Sequence, residues 1–132
     1  MPQFTSMVTI LVVLFYFFIA TRVPLARRKF DVQLPAITGH PDFERVFRIH
    51  QNTLEWMPIF LPSLWLCAIY LSDAGAAILG VVWIVGRSFY YLGYAREVRG
   101  RLPGFFIQSI ACFLLLVGAI AGMVLAFVAP SS

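Results

Sequence analysis

Long stretches without a charged residue constrain this chain more than any other feature of its sequence. Phe4 to Thr21 contains 18 residues without a charge, and Leu102 to Ala129 is uncharged throughout. A helix of 18 residues is about 27 Å long, close to the thickness of the hydrocarbon core of a bilayer. The sequence therefore predicts helices that cross a membrane.

The overall composition agrees with an integral membrane protein. The chain has 132 residues, of which 61% are hydrophobic and 12% are charged, whereas a soluble domain has about 25% charged residues. This length suits one compact unit, and no second domain is expected. The net charge of +4 does not indicate nucleic-acid binding, because no RNA- or DNA-binding motif accompanies the basic residues.

Turn-forming residues divide the chain into four segments. Pro24 is expected to end the first helix, and Thr38-Gly-His-Pro41 marks the turn before the second. Asp73-Ala-Gly75 predicts a very short turn, so the second and third helices should pack antiparallel. Pro103 suits the first turn of the fourth helix. We predict an all-α integral membrane protein, a four-transmembrane-helix bundle forming one domain over residues 1–132, with helices at about 4–21, 43–72, 74–97 and 102–129.

The basic residues lie on one side of this predicted bundle. All ten Lys and Arg residues fall in the segments 22–48 and 87–101, around the first and third connections. By the positive-inside rule, loops one and three are cytosolic and both termini lie on the opposite side. Basic residues there suit contact with anionic membrane lipids or with an anionic ligand.

Polar residues form two stripes beside the apolar segments. The first stripe recurs at steps of three and four residues and so shares one face of the second helix: Arg45, Arg48, Asn52 and Glu55. The second has a similar spacing along the third helix and beyond it: Arg87, Tyr90, Tyr94 and Arg101. Charges so close to hydrocarbon are costly, and by default they face a partner, a cavity or a ligand. The simplest interpretation is one polar site made from both stripes.

These side chains suit a small peptide with carboxylates, a free amine and an anionic reacting group. Arg48 can bind a carboxylate through two nitrogens, Glu55 can accept from an ammonium group, and Asn52 can bind a peptide amide. Glutathione has these groups together with a thiol. The structural alternative is an interhelical ion-pair network that only holds the helices in register, formed by Arg45, Arg48, Glu55 and Arg87. Four aromatic residues could equally belong to the membrane interface: Trp56, Tyr90, Tyr91 and Tyr94.

Two motifs carry a family resemblance. They are Phe43-Glu-Arg-Val-Phe-Arg-Ile-His-Gln-Asn-Thr-Leu-Glu55 and Ile84-Val-Gly-Arg-Ser-Phe-Tyr-Tyr-Leu-Gly-Tyr-Ala95. Both resemble motifs of the MAPEG family, the membrane-associated proteins in eicosanoid and glutathione metabolism. The His-Gln-Asn-Thr-Leu-Glu run is most similar to the type 3 microsomal glutathione transferases. The resemblance extends from about Arg22 to the end of the chain, and it implies a homotrimer of four-helix subunits that binds glutathione between subunits.

The resemblance also implies a role for individual residues. Glutathione would be bound from one subunit by Arg48, Asn52, Glu55, Tyr90 and Tyr94, and from the neighbouring subunit by Arg27 and His50. Arg101 matches the arginine thought to stabilise the thiolate, and Arg28 matches one proposed to act on the second substrate. His50 and Trp56 are departures, because the leukotriene-forming members have Gln and Tyr at these positions.

The resemblance implies a membrane-bound glutathione transferase that attacks lipophilic electrophiles or reduces lipid hydroperoxides. Its partners would be glutathione, the lipophilic substrate and membrane lipids, with no metal and no cofactor beyond glutathione as a co-substrate. Two other classes of protein remain as alternatives. One is a non-catalytic lipid-binding scaffold of the same family, and the other is a small helical transporter or assembly subunit.

Overall fold

The computed structural model describes residues 1–129, which form four long helices joined by short connections. The helices are α1 (Gln3–Lys29), α2 (Pro41–Tyr70), α3 (Asp73–Arg96) and α4 (Leu102–Val128), and a short 3-10 helix, Val98–Arg101, leads into α4. No strand occurs among the described residues. All four helices are long and apolar enough to cross a membrane, and many large apolar side chains face outward. The predicted fold class is therefore confirmed: an all-α integral membrane protein, a four-transmembrane-helix bundle.

Three of the predicted helices agree with the structure to within two residues, but the first does not. We expected Pro24 to end α1, and the helix instead continues to Lys29. A proline inside a helix removes one backbone hydrogen bond, a loss that membrane helices tolerate when their surroundings compensate. As a result, Arg27 and Arg28 lie on the last turn of α1 rather than in a loop. The last three residues of the predicted domain, 130–132, lie outside the described residues.

Side-chain caps begin α2 and α3. The imidazole Nδ1 of His40 accepts from the backbone N–H of Asp42 at 3.1 Å, and the hydroxyl of Ser72 accepts from the N–H of Gly75 at 3.0 Å. Each cap satisfies one of the free donors at a helix N-terminus. Because Ser72 follows closely on the end of α2, the chain reverses at once and α2 and α3 run antiparallel.

The two ends of the bundle differ in composition. We call the end formed by the last turns of α1 and α3 and the first turns of α2 and α4 the basic end. The arginines and the lysine of both basic segments all lie in the half of the bundle on this side. At the opposite end, the carboxylate of Asp73 accepts from the backbone N–H groups of Phe4 and Thr5 at 3.1 and 2.9 Å.

Between these ends, aromatic and small side chains pack the helices together. The rings of Phe60 on α2 and Trp83 on α3 stack with their centroids 3.9 Å apart, and both side chains are fully buried. On α4, Gly118 and Gly122 face the end of α2, where a Cβ atom on Gly122 would lie 2.9 Å from the backbone of Tyr70. Small residues thus let α4 approach α2 closely, as is common between membrane helices.

At the basic end, α3 and α4 approach each other backbone to backbone. A Cβ atom on Gly104 would lie 2.1 Å from the backbone nitrogen of Tyr90, and one on Gly93 would lie 1.8 Å from the carbonyl oxygen of Gly100. Only glycine fits at such distances. These contacts fold the α3–α4 connection back onto α3 and bring Arg101 beside Tyr94.

Candidate functional site

A cavity of about 330 Å³ opens at the basic end. Residues of α2, α3, the 3-10 helix and α4 line it: Arg48, Asn52, Tyr90, Tyr94, Val98, Arg101, Leu102 and Phe105. Five of these residues were proposed from the two polar stripes. The structure thus brings the stripes together around one cavity, and we call this cavity the polar cavity.

Glu55 lies next to the polar cavity without lining it. Its carboxylate is 3.8 Å from the guanidinium of Arg48, two turns earlier on α2, and both side chains are about half exposed. An ion pair at this distance and exposure contributes little to stability. Both charges therefore remain available to a ligand.

Aromatic rings form one wall of the polar cavity. Tyr90 is almost fully buried, and Tyr94 packs against it edge to face with the ring centroids 5.5 Å apart. Phe105 of α4 completes the wall, 6.5 Å from the ring of Tyr90 and 5.9 Å from that of Trp56. Phe105 was not foreseen from the sequence, because only the approach of α4 to α3 places it there.

Arg101 occupies the last position of the 3-10 helix and not an extension of α3. Its guanidinium carbon is 5.8 Å from the centre of the Tyr94 ring, and one of its terminal nitrogens donates to the carbonyl oxygen of Val98. That hydrogen bond orients the guanidinium and leaves further donors free. Arg101 thus adds a fixed positive charge to the rim of the polar cavity.

Arg87 lies behind the cavity wall, with a relative exposure of 1%. It donates to the amide oxygen of Asn52 at 2.7 Å and to the hydroxyl of Thr53 at 2.5 Å. Its guanidinium carbon lies 4.2 Å from the ring centre of Tyr90. Within residues 1–129 it pairs with no carboxylate. The stripe pattern included Arg87, but no sequence signal indicated that it binds Asn52 rather than an acidic residue.

The structural alternative of an interhelical ion-pair network finds no support in the described part of the chain. The two ion pairs formed by residues 1–129 are Arg45–Asp42 and Arg48–Glu55. Both lie within α2, so neither holds one helix to another. The charges of the two stripes therefore do not fix the register of the helices by pairing with each other.

Three residues implied by the resemblance lie away from the polar cavity. Arg27 donates to the carbonyl oxygens of the α1–α2 connection, the shortest at 2.6 Å to Ala36. Together with Arg28 it lines a separate cavity of about 400 Å³. His50 stacks on Tyr16 with the ring centroids 5.1 Å apart. The resemblance assigns Arg27 and His50 to the site of a neighbouring subunit, which a single chain does not contain, so their roles stay predictions.

Acidic, histidine and cysteine side chains do not cluster in residues 1–129 in a way that could hold a metal ion. The polar cavity itself offers guanidinium, amide and phenol groups, and guanidinium repels cations. Its chemistry is suited to an anionic organic ligand with a cationic group near Glu55.

Comparisons with known proteins agree with the motifs in α2 and α3. The sequence model of the MAPEG family matches residues 5–121. An uncharacterized protein of Synechocystis is 44% identical over 115 residues, which are 87% of this chain and 84% of that protein. Microsomal glutathione S-transferase 2 of Homo sapiens is 42% identical over 104 residues, 78% of this chain and 71% of the relative. Leukotriene C4 synthase of Rattus norvegicus is 38% identical over 120 residues, 91% of this chain and 80% of the relative.

The particular similarity to the type 3 microsomal transferases stays a prediction. The family itself is shown, because its sequence model spans most of the chain. The human transferase and the rat synthase named above are also each more than a third identical to this chain. This chain belongs to the MAPEG family.

Proposed function

We propose that this protein is a membrane-bound glutathione transferase that activates the glutathione thiolate for attack on lipophilic electrophiles or lipid hydroperoxides. The observation that carries the proposal is the polar cavity, where Arg48 and Arg101 lie at the rim and Arg87 lies behind the wall. The relatives named as a glutathione S-transferase and as leukotriene C4 synthase support the same chemistry.

The groups around the polar cavity complement those of glutathione. Arg48 suits a carboxylate and Glu55 suits the amine, since each would exchange a weak mutual contact of 3.8 Å for a direct one with the ligand. Tyr90 and Tyr94 offer a flat apolar face and phenol hydroxyls. The volume of about 330 Å³ falls within the range of about 300–1,000 Å³ that is usual for small-molecule sites.

Arg101 stabilises the thiolate in the proposed mechanism. The thiol of bound glutathione loses its proton to solvent, and the guanidinium of Arg101 holds the resulting sulfur anion. The sulfur then attacks the electrophilic carbon of the lipophilic substrate, a carbon–sulfur bond forms, and the leaving group departs with its electron pair. With a lipid hydroperoxide, the sulfur attacks the outer peroxide oxygen and releases an alcohol, and a second glutathione converts the sulfenic acid to the disulfide and water.

The proposal includes a homotrimer in which the site is completed by a second subunit. Arg27 and His50 of that subunit would contact glutathione, and Arg28 would act on the second substrate. Arg27 and Arg28 lie on the last turn of α1 at the basic end, the same end as the polar cavity. Cross-linking of the detergent-solubilised protein should trap a trimer, and a monomer or a dimer would contradict this part of the proposal.

We further propose that the basic end faces the cytosol, because the basic residues of both segments concentrate there. Single cysteines at Gln3 and at Glu97 would report the two ends of the bundle. In intact cells, an impermeant thiol reagent should label the first and spare the second. The reverse pattern would overturn the orientation.

Glutathione binding and turnover test the function directly. The purified full-length protein in detergent should bind glutathione saturably in a calorimeter. It should also form a thioether from a chlorinated dinitrobenzene and reduce a fatty-acid hydroperoxide. Lipid binding by a folded protein without any affinity for glutathione would reject the enzyme and favour the non-catalytic scaffold.

A further inference from the structure

Arg87 is a buried cation that the proposed reaction does not use directly. It lies on α3, reaches α2 with two hydrogen bonds, and meets no carboxylate within residues 1–129. An unpaired charge is expensive to bury, and buried ionisable groups in membrane helices usually serve a site. The role of Arg87 therefore depends on what its two hydrogen bonds to α2 hold in place.

The contact with Asn52 fixes the direction of an amide. A guanidinium carries only hydrogen-bond donors, so the amide of Asn52 must turn its oxygen toward Arg87, as it does at 2.7 Å. The amide nitrogen then points away from Arg87. Asn52 lines the polar cavity. Its amide nitrogen donates to no group of the described residues, and this nitrogen is not fully buried. The amide hydrogens of Asn52 are thus free for a ligand.

The position of Arg87 is itself determined by its surroundings. The hydroxyl of Thr53 donates to the carbonyl oxygen of Ile49 at 2.7 Å, so its lone pairs are left to accept from Arg87. The ring of Tyr90 lies against the guanidinium at 4.2 Å. With contacts on two helices and an aromatic face, Arg87 cannot swing away and release the Asn52 amide without breaking them.

We propose that Arg87 is a positioning residue that holds Asn52 as a hydrogen-bond donor toward the polar cavity, so that the site takes a ligand with a carbonyl or carboxylate oxygen at that point. The inference rests on the proposed glutathione function, because glutathione supplies such oxygens. Without Arg87 the amide could turn over and present its oxygen to the ligand.

A double-mutant cycle in the full-length protein tests this role. The variants are Arg87→Met, Asn52→Leu and the pair together, with glutathione affinity measured by calorimetry. If Arg87 acts through Asn52, each single change should weaken binding about tenfold, and the double variant should be little weaker than either one. Effects that multiply to about a hundredfold would show that the two residues act independently and would overturn the proposal.

Thr53→Val is the matched control for a purely structural role. This change removes the hydroxyl that accepts the second hydrogen bond of Arg87, and it leaves the contact with Asn52 in place. Thr53 does not line the polar cavity. Glutathione affinity should fall less than threefold. A loss as large as that of Asn52→Leu would mean that Arg87 acts by holding the helices together, and the proposal would be wrong.

Asn52→Asp keeps the proposal testable even where Arg87→Met does not fold. A carboxylate at this position still accepts from Arg87 and compensates its charge, so the thermal midpoint should rise. It offers no donor, so glutathione binding should be lost. A variant that binds glutathione as well as the original protein would overturn the inference. Absence of binding by the unsubstituted protein would instead reject the proposed function, and the thermal midpoint of Asn52→Asp would still report on the Arg87–Asn52 contact.

Discussion

Helix α4 approaches its neighbours through glycines toward both ends of the bundle, and these contacts differ in distance and in what they touch. At the basic end, a Cβ atom on Gly104 would lie 2.1 Å from the backbone nitrogen of Tyr90. Toward the opposite end, a Cβ atom on Gly118 would lie 3.0 Å from the sulfur of Cys67. Side-chain ends can move by a few tenths of an ångström, whereas packed helix backbones cannot. A Cβ atom on Gly122 would also meet backbone, but at 2.9 Å from Tyr70, so the closest backbone approach of α4 lies beside the polar cavity.

The charges of the two ends differ in the same way. At the opposite end, the carboxylate of Asp73 is occupied by the backbone N–H groups of Phe4 and Thr5. At the basic end, Arg101 donates to one carbonyl oxygen and Arg48 has only a distant contact with Glu55. The charge at the opposite end thus joins two helices, whereas Arg48 and Arg101 at the basic end keep donors available for a ligand.

The largest difference is expected between two alanine substitutions in α4, Gly104→Ala and Gly118→Ala. Gly104→Ala places a methyl group against backbone atoms, and overpacking of this kind costs about 3 kcal/mol. Gly118→Ala meets only the side chains of Cys67 and Leu71, and helix propensity favours alanine by about 1 kcal/mol. The free energy of unfolding of the Gly118→Ala variant should therefore change by less than about 1 kcal/mol. Thermal unfolding in detergent measures both variants.

Glutathione binding sharpens the same comparison. Gly104→Ala should also weaken binding, because Tyr90 and Phe105 can no longer approach as they do. Gly118→Ala should leave the affinity unchanged. Equal loss of stability in the two variants would show that the ends are equally rigid, contrary to the contact geometry.

The sequence predicted the helices better than it predicted their contacts. The lengths of the uncharged stretches and the turn-forming residues between them located α2, α3 and α4. This works because a membrane-spanning helix needs a minimum apolar length whatever it packs against. The predicted end of α1 was wrong, since a proline rule from isolated helices takes no account of surroundings in which a helix tolerates the missing hydrogen bond. In the structure α1 continues past Pro24, and Arg27 on its last turn binds the following connection.

The polar cavity was only partly predictable for a similar reason. Helical periodicity places Arg48 and Asn52 on one face, so these residues could be proposed together. Periodicity does not say how deeply a face is buried, and Arg87 proved to lie behind the wall. Phe105 depends on the backbone contact between α3 and α4, which the sequence indicates only through its glycines.

Glu55→Gln tests whether the charges at the basic end serve a ligand. The change removes the partner of the glutathione amine, and binding should weaken more than tenfold, or about 1.4 kcal/mol. Folding should be unaffected, because the Arg48–Glu55 contact is long and half exposed. Glu44→Gln on the same helix is the control, since Glu44 forms no ion pair among the described residues and does not line the polar cavity. Loss of the fold in Glu55→Gln with glutathione affinity retained would support a structural role instead.

Arg101→Ala should have the smallest effect on binding but a distinct effect on turnover. Glutathione stays held by Arg48 and Glu55 in the proposed site, so its affinity should fall by less than about threefold. A nearby cation lowers the pKa of a thiol, and one unit corresponds to about 1.4 kcal/mol, or tenfold in thiolate at neutral pH. Turnover at pH 7 should therefore drop severalfold to tenfold. Arg99→Ala is the control, because Arg99 is exposed on the same 3-10 helix and does not line the polar cavity.

The pH dependence identifies the role of Arg101. Without the guanidinium, the bound thiol should ionise near its free value, about 8.5 for a cysteine thiol. The deficit in turnover should then shrink as the pH rises through that value, because both proteins come to hold mostly thiolate. Arginine keeps its proton over this range, so the change belongs to the thiol and not to residue 101. Ultraviolet absorbance of the thiolate, titrated in the original protein, Arg101→Ala and Arg99→Ala, separates the outcomes. The same apparent thiol pKa in all three proteins would mean that Arg101 contributes only to the shape of the rim.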